Sequence, residues 1–204
     1  MSNGTAVGLV VLRAATHDDV DAIAAIWHRG WRDGHLGHVP DALVHHRQAR
    51  DFLALVPERL AATTVAVTDR PDAEPRGGER GVSEARGSER TVVGFVTVRD
   101  DEVEEVYVDR AARGRGVADA LLGHAEAVVA ERFDRAWLAV VAGNARARRF
   151  YERVGWVDAG PIQYAAPLPD GATAPVPARR YERRLDRSEG GRDVDRGGPR
   201  PGSP

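Results

Sequence analysis

One stretch limits what this chain can fold into more than any other: Val103 to Val129. A β-rich run of Val103, Val106, Tyr107 and Val108 leads into Arg113-Gly114-Arg115-Gly116-Val117-Ala118. An apolar pattern at helical spacing then continues through Val117, Ala120, Leu121, Ala125, Val128 and Val129. Strand, glycine turn and helix start make a geometry that holds phosphates. Glycines let the backbone approach an anion and reach torsions closed to other residues. The unpaired amides of a first helical turn point outward, and the helix dipole adds positive potential there. Arg113 and Arg115 bring full charges to the same place.

The flanks sharpen this reading. Val106-Tyr107-Val108-Asp109 precedes the turn, and roughly twenty-five residues beyond it stands Asn144-Ala-Arg-Ala147-Arg-Arg-Phe150-Tyr151-Glu152-Arg-Val-Gly155-Trp156. Arg113-x-x-Gly116-x-Ala118 resembles the Gln/Arg-x-x-Gly-x-Gly/Ala acyl-CoA motif of the GCN5-related N-acetyltransferase (GNAT) superfamily. The second block resembles that family's Asn-x-x-Ala-x-x-Phe-Tyr-x-x-x-Gly-Phe signature, with Trp156 for the last Phe. The resemblance covers Val10 to Leu185.

It implies an α/β chain of layered α+β type. The expected GNAT fold has a central mixed, mostly antiparallel sheet of roughly six to seven strands, splayed between strands 4 and 5 and flanked by about four helices. It implies acyl-CoA-dependent N-acyl transfer, acetyl passing from acetyl-CoA to a primary amine of a small molecule or peptide by direct attack in a ternary complex. Acetyl-CoA is the expected co-substrate, with no metal. The alternative on the same fold is a catalytically inactive CoA-binding sensor or partner-docking protein.

The site residues follow residue by residue. Gly114, Arg115, Gly116, Val117 and Ala118, with Arg113, would cradle the CoA diphosphate. The backbone of Val106 and Val108 would pair with the pantetheine arm as an added strand does, and the amide near Val106 would face the developing oxyanion. Asn144 would contact the arm, and as the cap of its helix it has a structural reason to be there as well. Tyr151 would protonate the departing thiolate. Some family members carry a Glu on the fifth strand in Trp-Leu-Glu-Val. This chain reads Trp137-Leu138-Ala139-Val140, so that carboxylate is missing. Glu104 and Glu105 on the fourth strand are the remaining candidates for the base. Alternation puts them on opposite faces, and Glu104 is preferred because it shares parity with Val106 and Val108. A bulge in this strand would change which of the two points inward.

On the acceptor side, five of the seven His lie between His28 and His46, near Trp27 and Trp31. The first helices wall the acceptor cleft in this fold, so Trp27, Trp31 and His35 are candidate substrate-binding residues. His35 and His38 lack a third ligand at sensible spacing, so no metal site is expected.

Read in order, Val7 to Leu12 is a first strand, and Thr16 with Asp18 and Asp19 opens a helix that Gly34 and Gly37 should break. Pro40-Asp41 starts a second helix carrying Leu43, Val44, Phe52, Leu53 and Leu55, interrupted at Pro57. Strands are expected at Thr63–Thr68, Thr91–Val98 and Ala136–Val141, with Asp100-Asp101 turning between strands. Trp156–Tyr164 and Arg179–Leu185 close the sheet, joined by a Pro-rich excursion. The domain spans residues 1–186. Between Asp69 and Arg90 the composition turns to Gly, Arg, Glu, Ser and Pro, which predicts a flexible insertion at about 70–90. Residues 187–204 read as a disordered tail.

Net charge is −2, which excludes a molecule-wide electrostatic nucleic-acid binder. Cysteine is absent, which removes disulfides, thiolate metal sites and an acyl-cysteine intermediate. No apolar run approaches ~18 residues, and no secretion signal is evident, so a cytoplasmic protein without membrane contact is expected. The expected partner is a small-molecule or peptide amine acceptor and not nucleic acid; the sequence alone does not set the oligomeric state, although homodimers are common in the family this chain resembles. All 29 Lys or Arg positions are Arg, so no lysine is present for self-acetylation.

Overall fold

The computed structural model describes residues 10–69, 90–168 and 171–185. The expected insertion, the C-terminal tail and the start of the first strand lie outside these residues. Strand β1 (Val11–Ala14) is followed by α1 (Val20–His35), α2 (Asp41–His45), α3 (Ala49–Leu55), β2 (Thr63–Asp69), β3 (Arg90–Arg99) and β4 (Glu102–Val108). Then come α4 (Val117–Ala130), β5 (Arg135–Val141), α5 (Ala145–Arg153), β6 (Val157–Pro167) and β7 (Thr173–Arg184).

The seven strands form one sheet in the order β1-β2-β3-β4-β5-β7-β6. Every neighbouring pair is antiparallel except β4 with β5, which is parallel and registered only at Glu102↔Trp137. There Trp137 N donates to Asp101 O at 2.9 Å, and the indole Nε1 donates to Asp101 Oδ1 at 3.2 Å. Beyond that joint the two strands part, which is the expected splay.

Each sheet face carries its own apolar cluster. On one, α1 and α3 bring Ile23, Ile26, Trp27, Trp31 and Phe52 against Val65, Val67 and Phe95. On the other, α4 and α5 bring Val117, Leu121, Leu122, Ala125 and Tyr151 against Val96, Leu138 and Tyr181. The spacing of apolar residues in α1 is what a one-sided helix needs. Its entrance is fixed by Asp19, which accepts from both Nη atoms of Arg13 at 2.7 Å and from the amide and hydroxyl of Thr16 at 2.8 and 3.0 Å.

Three expectations about elements are corrected. Helix α1 runs through Gly34 to His35 and turns only at Gly37, whose φ is +79°. Gly34 serves close packing instead, because a Cβ there would stand 2.6 Å from Asn144 Nδ2. The helix expected after Pro40 is two, α2 and α3, separated at 46–48. The Pro-rich excursion is a long hairpin, with Gln163↔Pro177, Ala165↔Pro175 and Pro167↔Thr173 in register. Pro175 and Pro177 are tolerated because pairing with β5 ends at Val141↔Ala178, so no ladder bond is lost on that side.

Candidate active site

The splay opens two connected cavities. The smaller, of about 480 Å³, lies over the β4–α4 junction and is lined by Val106, Val108, Arg113, Gly114, Gly116, Val117 and Ala118, with Asn144, Phe150 and Tyr151 opposite. Gly114 and Gly116 have φ of +75° and +77°, and a Cβ on either would meet nothing within 4 Å. Their role is the left-handed turn and open space above it. Among the described residues, the amides of 114–118 donate to no backbone carbonyl, so the first turn of α4 presents them outward. Such a cradle suits a diphosphate. Arg113 is committed elsewhere: its Nη2 meets Asp33 Oδ2 at 2.8 Å and its Nε donates to Val108 O at 3.3 Å. It braces α1 against the turn. Arg115 stands exposed on the rim.

The β4 edge can be read from one bond. Asp109 N donates to Val93 O at 2.8 Å, and the register runs Gly94↔Val108, Phe95↔Tyr107, Val96↔Val106. Antiparallel pairs alternate between bonded and unbonded. The peptide groups of Val106 and Val108 therefore turn away from β3, into the splay. Val108 O already accepts from Arg113 Nε, so the Val106 peptide and the Val108 amide form the edge that an extended arm can pair with.

The larger cavity, of about 570 Å³, is lined by Trp27, Trp31 and His35 of α1, by Arg59, Glu102, Glu104, Glu105 and Tyr107, and by Tyr164 of β6. Val106, Tyr107, Asn144, Ala147 and Tyr151 border both cavities, so any reacting group passes between them. Trp27 and Trp31 are also core residues, 6% and 5% exposed. His35 stacks on Trp31 at 4.8 Å, and its Nδ1 donates to Trp31 O at 2.9 Å. Burial pulls its pKa down to about 4, so the ring is neutral near pH 7.

The two carboxylates do not obey simple alternation. The register passes from Thr97↔Glu105 to Val98↔Val103, so Glu104 is the extra residue of a β-bulge. Both Glu104 and Glu105 approach Arg59 Nε, at 3.9 and 3.6 Å. The opposite-face expectation is corrected, and the parity argument for Glu104 goes with it. Glu105 shares parity with Tyr107, which packs with the α1-side cluster, whereas Val106 and Val108 pack with the other. Burial, then the neighbouring Glu104 charge, raises the Glu105 pKa to about 7, against the opposing pull of Arg59. Glu102 is likewise raised to about 7, chiefly by burial.

Tyr151 sits on α5, 9% exposed, with its ring against Phe150, Trp156 and Tyr181. Burial pushes its pKa well above the ordinary tyrosine range, so it keeps its proton. Asn144 Oδ1 accepts from Ala147 N at 3.1 Å, capping α5. Sequence patterning did not single out Arg47, Arg59, Tyr107 or Tyr164. The one available hint was Gly30 inside a helix pattern, where a Cβ would stand within 3 Å of the Tyr107 ring. Among the described residues no group of three or more His, Cys, Asp or Glu is arranged to hold a metal ion. No helix among them is long and apolar enough to cross a membrane.

A sheet split at its fourth and fifth strands, with a glycine cradle at one mouth of the split and carboxylates at the other, has the topology of the GNAT fold. Residues 66–156 match the model of the acetyltransferase (GNAT) family. Among solved structures, apo YjaB of Escherichia coli aligns with 85% of this chain and 97% of its own, at 20% identity and a TM-score of 0.60. The paia N-acetyltransferase of Thermoplasma acidophilum, in complex with coenzyme A, aligns with 87% of this chain and 99% of its own, at 13% identity and a TM-score of 0.55. yncA of Salmonella typhimurium, with its cofactor acetyl-CoA, aligns with 87% and 95%, at 18% identity and a TM-score of 0.55. At these identities the likeness is one of fold. No curated protein matches the chain in sequence.

Proposed function

We propose that this chain is an acyl-CoA-dependent N-acyltransferase, moving acetyl from acetyl-CoA to a primary amine within a ternary complex. The observation that carries the reading is the pair of cavities meeting at Val106, Tyr107 and Tyr151, one over the glycine cradle and one before Glu105. Two solved relatives of the fold are described with coenzyme A or acetyl-CoA, which supports the same co-substrate here.

Each residue then has a defined task. The amides of 114–118 take the diphosphate, through charge-assisted bonds of about 1.5–3 kcal/mol each. The outward Val106 carbonyl and Val108 amide take the pantetheine amides, and the Val106 amide polarises the thioester carbonyl. A base with a pKa of about 7 is half ionised at neutral pH, which suits Glu105 to take a proton from the bound ammonium and leave the nucleophilic amine. The amine attacks the carbonyl carbon, and the C–S bond breaks. The second proton of the nitrogen goes to the leaving thiolate, whose conjugate acid has a pKa near ~8.5, relayed through the Tyr151 hydroxyl, which gives up its own proton as it takes the nitrogen's and so ends neutral.

The test is a broad amine screen with thiol detection, run with acetyl-CoA and propionyl-CoA in parallel, alongside calorimetric titration of CoA. Binding of CoA and thiol release with an amine are expected. Substituting Gly116→Val, which strains a left-handed turn and fills the cradle, should abolish both. Absence of CoA binding at high protein concentration removes the proposal.

A further inference from the structure

The larger cavity holds a cation that the acyl-transfer reading does not use. Arg47, between α2 and α3, lines it together with His46, Tyr164 and Pro167. Its Nη1 donates to His46 O at 2.9 Å and its Nη2 to Pro167 O at 3.0 Å. These bonds hold the guanidinium across the mouth, from the helical side to the last residue of β6. Among the described residues no carboxylate lies within 4.0 Å of it, and the nearest opposing charge, Asp51, lines the same cavity without forming an ion pair with it. The other arginines of the cavity differ: Arg59 approaches Glu104 and Glu105, and Arg99 meets Glu104 at 3.4 Å. Desolvation lowers the Arg47 pKa from its ordinary value. A guanidinium has five donors in a rigid fork, and two backbone bonds leave most of that fork unspent.

We infer that the acceptor is an amino acid or a close amino-carboxylate relative, with its carboxylate seated on Arg47 and its amino group turned to Glu105. This rests on the acyl-transfer reading of the same cavity. Arg47, Glu105 and Tyr107 line the same cavity, so the two poles border one space. Tyr164 has Glu105 and Glu104 in its field and is itself in the field of Arg47. A zwitterion places a negative group against the unpaired cation and a positive group against the carboxylates. A plain amine satisfies only the second. The Trp27 and Trp31 rings supply an apolar wall for the remainder of such a molecule.

The experiment compares the common L-amino acids with their decarboxylated amines, pair by pair, on the full chain loaded with CoA for calorimetry and with acetyl-CoA for turnover. Within the accepted pairs the amino acid should bind and turn over about 10- to 100-fold better, with most of the difference in KM, as one fork of charge-assisted bonds provides. Arg47→Gln should bring the ratio to within about twofold, and Arg47→Lys should keep part of it, since charge survives and the fork does not. Should Arg47→Gln loosen the α2–α3 junction, the wild-type ratio still decides. Equal or better binding of the decarboxylated amines, or binding by no member of the panel, overturns the assignment. Amino acids that bind in an Arg47-dependent way without thiol release would keep the carboxylate seat on Arg47 while removing the acyl-transfer reading. Turnover confined to decarboxylated amines would do the reverse.

Discussion

Arg59 Nε stands 3.6 Å from Glu105 Oε1, near enough to attract its charge, yet it forms no hydrogen bond. The carboxylate is therefore held without being locked. Burial and Glu104 push the Glu105 pKa up, Arg59 and a Thr97 hydrogen bond pull it down, and the result is about 7. If Glu105 is the base, Glu105→Gln should lower kcat/KM by about 10²- to 10⁴-fold. It should also remove the ionisation near 7 from the rate profile. In the wild-type enzyme, activity should rise with pH through about 7, because the ionised form is the one that accepts the proton. A flat profile over pH 5.5–8.5 in the wild type would refute this assignment.

The two neighbours of Glu105 should move that limb in opposite directions. Arg59 favours the ionised form, so Arg59→Met should shift the limb to higher pH. Glu104 disfavours it, so Glu104→Gln should shift the limb to lower pH. The pair of shifts, measured as kcat/KM against pH, also separates the two carboxylates. Were Glu104 the base, Glu104→Gln would abolish the reaction instead of displacing its pH dependence.

Tyr151→Phe keeps the ring that packs on Phe150, Trp156 and Tyr181 and deletes only the hydroxyl. It should lower kcat by about 10²-fold or more, while thermal stability and calorimetric CoA affinity stay close to wild type. A loss confined to stability would make Tyr151 a core residue alone.

The glycine turn before α4 and the capped start of α5 were largely legible in the sequence, and the lining of the larger cavity was not. Cradle and cap depend on backbone torsions and helix ends, which demand particular residues: glycine at 114 and 116, asparagine at 144. Two such blocks in order point to one fold. The wall of the larger cavity depends on where Arg47, Arg59, Tyr107 and Tyr164 point, and ordinary strand or helix residues can occupy those positions without any local constraint. The bulge at Glu104 shows the difficulty within a single strand. One extra residue reversed the facing of a carboxylate, and Glu102 to Val108 contains no glycine or other breaker to announce it. Likewise Gly34 reads as a helix breaker by propensity, until its approach to Asn144 reveals why a side chain is missing there.

Asp19 offers a stability test away from the chemistry. It is 4% exposed and collects a fork from Arg13 and two bonds from Thr16. Its pKa is lowered, chiefly by the Arg13 hydrogen bonds. A depressed carboxyl contributes stability that is present above its unfolded pKa of ~3.9 and is lost as pH falls through the folded value. Asp19→Asn should cost about 2 kcal/mol at pH 7. In urea unfolding the gap to wild type should close as pH drops below ~4. A gap that does not change with pH would mean that the site is held by packing.

Two helical glycines should respond oppositely to the same substitution. Gly123 lies in α4 where an added Cβ would meet nothing within 4 Å, so Gly123→Ala should gain about 1 kcal/mol from helix propensity alone. Gly34 has the same intrinsic gain available, but its Cβ would stand 2.6 Å from Asn144 Nδ2. That amide is not free to swing, because its Oδ1 caps α5 through Ala147 N at 3.1 Å. Making room loosens a cap worth about 1 kcal/mol, which offsets the propensity. Thermal unfolding should therefore show a raised Tm for Gly123→Ala and an unchanged or lowered one for Gly34→Ala. Because Asn144 borders both cavities, Gly34→Ala should also weaken CoA binding in calorimetry, whereas Gly123→Ala should leave it as it was. Equal gains in Tm from both substitutions would show that α1 does not press on the α5 cap.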